Sequence, residues 1–117
     1  MERQAVAEMR GFSPQAVSSA MLGFAKVGSA PGKELLEALE AHSAEQIKAF
    51  KPQEVSNVMW SYATLGAAPG GALVGAVRWH AEERSRGYSA QNVSNLLWAF
   101  AKLKEDPGEA ALKALEE

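Results

Sequence analysis

Apolar residues along this chain fall on wide helical arcs, and the arcs recur at a fixed interval. Val17, Ala20, Met21, Phe24, Ala25 and Val27 form the first. Val55, Val58, Met59, Tyr62, Ala63 and Leu65 repeat it, as do Val93, Leu96, Leu97, Phe100, Ala101 and Leu103. An arc this wide predicts a helix that packs on several neighbours. A second kind of helix alternates with the first. Leu36, Leu39, Ser43, Ile47 and Phe50 share one face, Leu73, Val74, Ala76 and Val77 continue the register, and Leu112 and Leu115 begin it again. The strict alternation of a half-buried strand is absent. The pattern predicts an all-α chain with two helix types, here called A and B.

Local signals place the ends of these helices. Ser13 is a good N-cap for a B helix over Pro14–Val27, because its hydroxyl accepts from the first-turn amides. Pro14 suits the first helical position, where a missing N–H costs nothing. Gly28 fits the left-handed stop, and Pro31 blocks continuation. Pro52 and Gly66 do the same for the second B helix; the third has Ser89 but places Ala90 and Lys104 where Pro and Gly stood. A helices are expected to begin near Gly32, Gly70 and Gly108. Ser43-Ala-Glu-Gln46 reads as a capping box, so the first A helix is expected to break near His42.

The interval is 38 residues. Phe12–Gly28, Phe50–Gly66 and Tyr88–Lys104 align without slippage, as do Ala30-Pro31-Gly32, Ala68-Pro69-Gly70 and Asp106-Pro107-Gly108. A fixed period of this size marks a stacked architecture. The expected fold is an α-solenoid of two-helix, 38-residue repeats, a segment of a right-handed αα superhelix. One domain over 1–117 would hold a partial repeat (1–11), two full repeats (12–49 and 50–87) and a further partial one (88–117). Leu112 and Leu115 lie in a short A helix with an apolar face. That points to a segment of a longer array, or to end-on packing against a partner; the alternative is a complete small protein with frayed ends.

Composition narrows the function classes. No apolar run is long enough to cross a membrane. Met1–Arg10 has no apolar signal core and carries acids, so no targeting peptide is visible. Zero cysteines exclude disulfides, thiol nucleophiles and thiolate metal sites. The net charge of −2 argues against a purely electrostatic nucleic-acid binder. The charge is uneven: Lys51, Arg78, Arg84 and Arg86 face three acids in 50–87, whereas three Lys meet five acids in 88–117.

Between the edges of each B arc lies a narrow polar stripe. It holds Gln15, Ser19 and Lys26, then Gln53, Asn57 and Thr64, then Gln91, Asn95 and Lys102. A more variable position beside it holds Ala16, Glu54 and Asn92, and the other edge carries Leu22, Trp60 and Trp98. Stacked helices would set such stripes about 10 Å apart. Amides can read base edges, Lys can meet phosphate, and Trp can stack on a base. The candidate RNA-binding set is therefore Gln15, Ser19, Lys26, Gln53, Glu54, Asn57, Thr64, Gln91, Asn92, Asn95 and Lys102. The structural alternative is that the amides bond local backbone or a neighbouring helix and the Trp rings wedge between helices. The invariant Ser18, Ser56 and Ser94 read as small residues that let helices approach closely.

Catalytic chemistry is not expected. His42 and His80 are one period apart, too far for one metal ion. His80-Ala-Glu-Glu-Arg84 lacks the second His of a zinc-protease helix, and Gly66, Gly70, Gly71 and Gly75 do not form a phosphate loop. No cofactor is expected.

The string Ser-Pro-Gln-x-Val-Ser-Asn-x-x-Trp-Ala-Phe-Ala-Lys-Leu-Gly on a 38-residue period resembles the octotricopeptide repeat family. It is also similar to the helical repeats beside RAP domains in algal and protist organelle proteins. Phe50–Gly66 carries the resemblance best, supported by Tyr88–Leu103; Leu22, Gly23 and Lys104 depart from it. The resemblance implies binding of single-stranded RNA in a chloroplast or mitochondrion, in transcript stability, processing or translation. The alternative it leaves open is a protein-interaction scaffold, such as an assembly factor or an organelle ribosome component.

Overall fold

The computed structural model describes residues 2–116. Seven α-helices and no strand occur among them: α1 (Glu2–Ala7), α2 (Pro14–Val27), α3 (Lys33–Glu45), α4 (Pro52–Leu65), α5 (Gly71–Glu83), α6 (Ala90–Leu103) and α7 (Glu109–Glu116). Three 3-10 turns, Met9–Gly11, Ile47–Ala49 and Ser85–Gly87, fall one period apart. No helix among the described residues is long and apolar enough to cross a membrane.

The B helices begin and end as their sequences dictate. Ser13 Oγ accepts from the Ala16 amide at 3.0 Å, and Ser89 Oγ from the Asn92 amide at 3.1 Å. Lys51 has no hydroxyl to offer α4, and the helix instead uses Glu54, whose Oε1 accepts from the Lys51 amide at 2.9 Å. Gly28 and Gly66 stop their helices at φ 73° and 70°. Lys104 takes the same left-handed conformation at φ 59°, where a side chain costs roughly 1 kcal/mol.

The A helices use a tie that spans almost a full period. Glu2 accepts from the Gly32 amide at 3.1 Å, and Glu40 accepts from the Gly70 amide at 2.8 Å. Each carboxylate thus satisfies a free N–H at the start of the next A helix, where negative charge is also favoured. The third position in this series is Arg78. There the Gly108 amide donates to Asp106 Oδ1 at 2.8 Å, and Arg78 Nε donates to the Asp106 carbonyl at 2.6 Å. The expected break near His42 does not occur. Ser43 is buried and donates to the Leu39 carbonyl at 2.7 Å, so its hydroxyl stays inside α3, which runs on to Glu45.

The helices pack in two sets. Helix α4 lies between α2 and α6, while α1, α3, α5 and α7 contact one another in succession. The body measures 43 × 25 × 22 Å. Burial on the B helices resolves into two sectors. A forward sector (Val17, Ser18, Met21 and Ala25 in α2; Val55, Ser56, Met59 and Ala63 in α4) is buried, and its Ser18 and Ser56 meet Asn57 and Asn92 on the following B helix. A back sector (Val58, Ser61 and Tyr62 in α4; Leu96, Ala99 and Phe100 in α6) is buried on the two B helices that follow another one. Only α4 buries both.

This two-sided packing corrects three details of the sequence reading. Val27 is 75% exposed, because it lies on the back side of α2, which no B helix among the described residues covers. Ala101 is exposed on the forward side of α6 for the mirror reason. In α3 the fully buried residue of the first turn is Leu35, while Leu36 is half-buried.

Among the described residues, one buried side-chain polar atom is unmatched. Tyr62 Oη has no hydrogen-bond partner among them, and burial pushes its ionisation well above the usual tyrosine range. The equivalent residues in α2 and α6 are Phe24 and Phe100. An unmatched buried hydroxyl costs roughly 1–3 kcal/mol. Tyr62→Phe is therefore expected to raise stability by about 1 kcal/mol in urea unfolding; a loss of stability would show that the hydroxyl has a partner.

Candidate polar groove on the B helices

A helix advances 100° per residue, so Gln15, Ser19 and Lys26 face away from the A layer, about half a turn from Val17. None of the eleven candidate residues is buried. Five of them, Gln15, Ser19, Gln53, Glu54 and Asn57, line one groove of about 320 Å³ between α2 and α4. Ser18, Leu22 and Lys51 complete its walls. Asn57 Nδ2 lies 3.4 Å from Ser18 Oγ, a long hydrogen bond that holds the amide across the helix pair. Among the described residues, Gln15 and Gln53 in the groove have no side-chain hydrogen bond, which leaves both donor and acceptor open to a ligand.

The other candidates sit elsewhere or are engaged. Glu54 and Asn92 each spend one oxygen on the amide at the start of their helix, at 2.9 and 3.1 Å. Gln91 Nε2 donates to Asn95 Oδ1 at 2.9 Å, so these amides pair along α6. Lys26, Thr64 and Lys102 are exposed about 16 Å farther along their helices than the Gln residues, outside the groove. Trp60 and Trp98 rest against each other, with centroids 6.4 Å apart and planes tilted by 34°. Both bridge α4 and α6, although Trp98 stays 45% exposed.

Two basic features escaped the sequence reading. Arg10, Lys48 and Arg86 occupy the middle of the three 3-10 turns, and all are exposed. Their 38-residue spacing was visible in the sequence, but charges counted by segment conceal it. Lys48 and Arg84 also lie over the Trp79 ring, at 5.8 and 5.6 Å from its centroid, and Arg84 Nη1 donates to the Lys48 carbonyl at 3.1 Å. This cluster ties the second 3-10 turn to the end of α5.

The histidines act as structural ties. His42 Nε2 lies 2.7 Å from the Phe12 carbonyl, and His80 Nε2 lies 2.8 Å from the Phe50 carbonyl. A carbonyl only accepts, so each Nε2 carries the proton. His80 Nδ1 is then an acceptor, and Tyr88 Oη donates to it at 2.8 Å. His80 is fully buried, and desolvation holds its pKa below the ordinary histidine value. Its ring is committed on both nitrogens. Among the described residues, no three His, Cys, Asp or Glu side chains converge as a metal site would require.

Comparison with protein-family models, curated proteins and solved structures gives no match.

The His80 tie has a pH signature. Below the ordinary value of 6.5 the unfolded chain takes up a proton that the folded ring resists. The unfolded state then binds more protons, so stability is full above 6.5 and falls as pH drops. His80→Gln keeps a donor for the Phe50 carbonyl but does not titrate. Urea unfolding of this variant is expected to show a flatter stability profile than the parent as pH falls below 6.5. Equal slopes would contradict the assignment.

Proposed function

We propose that the chain is a stretch of a right-handed α-solenoid of the octotricopeptide type, and that its outer groove binds single-stranded RNA in a chloroplast or mitochondrion. The observation that supports this reading is the convergence of Gln15, Ser19, Gln53 and Asn57, with Lys51, on one groove facing away from the A helices. Side-chain amides both donate and accept, as reading a base edge requires. Lys51 supplies a contact for phosphate, while Glu54 beside it keeps the local charge balanced. Binding of this kind draws on hydrogen bonds more than on bulk charge, in keeping with a net charge of −2. Position 54 differs between periods, as a base-reading position would: Ala16, Glu54 and Asn92.

Fluorescence anisotropy with labelled single-stranded RNA pools tests the proposal. Binding is expected at about 50 mM salt and weakens by about 200 mM. Gln15→Ala with Gln53→Ala is expected to lower affinity about tenfold, while Lys51→Ala reduces the salt slope by about one. No binding at low salt, or a double variant that binds like the parent, would overturn it.

A further inference from the structure

Glu54 and Lys51 are the charged side chains in the lining of the groove between α2 and α4. Glu54 Oε1 accepts from the Lys51 amide at 2.9 Å, the bond that opens α4. That bond needs one oxygen. Asn92 makes the same bond in α6 at 3.1 Å with a neutral side chain, so the cap alone does not call for a carboxylate. An ionised carboxylate has two oxygens with several acceptor sites and no donor. The cap uses one of these sites on Glu54, which leaves Oε2 and the second lone pair of Oε1 as neighbouring acceptors on a side chain that lines the groove.

The nucleobases differ in what they offer to such a pair. On its Watson–Crick edge, uracil sets one N–H between two carbonyl oxygens. Cytosine and adenine each present one amino group beside a bare ring nitrogen. Guanine alone places two donors side by side, N1–H and the 2-amino group, next to the acceptor O6. Unpaired RNA exposes this edge to side chains. The acceptors of Glu54 match the two guanine donors, and they face an unfavourable acceptor on each of the other bases. Gln15 and Gln53 carry amide N–H groups for O6 in the same lining. At about 320 Å³ the groove stands at the small end of the roughly 300–1,000 Å³ range of ligand sites, which suits a single base. Leu22 is the apolar side chain of the lining and gives the flat face of that base a surface to rest on.

We propose that this groove selects an unpaired guanine and that Glu54 sets the choice. The proposal rests on the reading of the groove as an RNA site. Glu54 accepts from N1–H and the 2-amino group, a glutamine amide donates to O6, and Lys51 meets the adjoining phosphate. The equivalent positions in the other periods hold Ala16 and Asn92, neither of which offers a pair of acceptors, so the selection belongs to this groove.

Fluorescence anisotropy at about 50 mM salt tests the proposal, with labelled single-stranded RNAs of about eight nucleotides that are uracil throughout except for one varied central base. The guanine oligonucleotide is expected to bind about tenfold more tightly than those with adenine, cytosine or uracil at that place. Inosine keeps O6 and N1–H but lacks the 2-amino group, and is expected to lose most of that gain. Glu54→Gln keeps an oxygen for the Lys51 amide and turns the other oxygen into an NH2 donor; circular dichroism checks that the variant folds. In this variant the ratio of guanine to adenine affinity is expected to fall to about one. Equal binding of the four bases by the parent, or a guanine preference that survives Glu54→Gln, would overturn the role of Glu54 and leave RNA binding by the groove standing. Failure to bind any of the oligonucleotides would overturn both.

Discussion

The structure depends on the burial of α4 from two sides at once. Its forward and back sectors lie on one apolar arc, and each demands a neighbour of matching shape. Fully burying a side chain of the size of Val55 or Met59 contributes roughly 1.5–3 kcal/mol. The 38-residue period preserves that match, because a single inserted residue would turn an arc by 100° and bring polar positions into the contact. Ser18 and Ser56 fit the same demand. They are small enough for close helix approach, and Ser56 meets a carbonyl of the next helix instead of leaving its hydroxyl unmatched.

Directional bonds then hold the A helices at the spacing that the apolar arcs require. His42 and His80 each reach a backbone carbonyl 30 residues earlier, and Glu2 and Glu40 each accept from an amide 30 residues later. Both ties satisfy backbone groups that would otherwise be lost at helix ends. Variation in them is compensated locally. Where the carboxylate series reaches Arg78, the loop supplies Asp106 to receive the Gly108 amide. Where the aromatic series reaches Tyr88, the added hydroxyl binds the free nitrogen of His80. Tyr62 is the exception, since its hydroxyl is added without a partner among the described residues.

Much of this was legible from the chain. Cap residues, prolines and glycines marked the first two B helices closely, because those signals act through neighbouring backbone, whereas the end of the third, at Lys104, carried no such signal. The polar stripe was legible for the same reason: it follows from helical geometry alone, and Gln15, Ser19, Gln53 and Asn57 do meet in one groove. What escaped was long-range. The roles of Glu2, Glu40 and the histidines depend on partners about 30 residues away, which no local pattern reveals. Ser43 misled because a capping box and an interior serine look alike until burial is known. Val27 and Ala101 misled because the apolar arc is the same in every period, while its coverage depends on which neighbour is present.

The same division separates packing from recognition. Most of each period is committed to caps, arcs and ties, while Gln15 and Gln53 in the groove keep their amides unspent among the described residues. The central claim is that these amides, not the basic cluster around Trp79, meet a ligand. Side-chain amide NMR signals during titration with a single-stranded RNA pool test it most directly. The account predicts that Gln15, Gln53 and Asn57 shift together and first. Shifts confined to Lys48, Trp79 and Arg84, or no shifts at all, would contradict it.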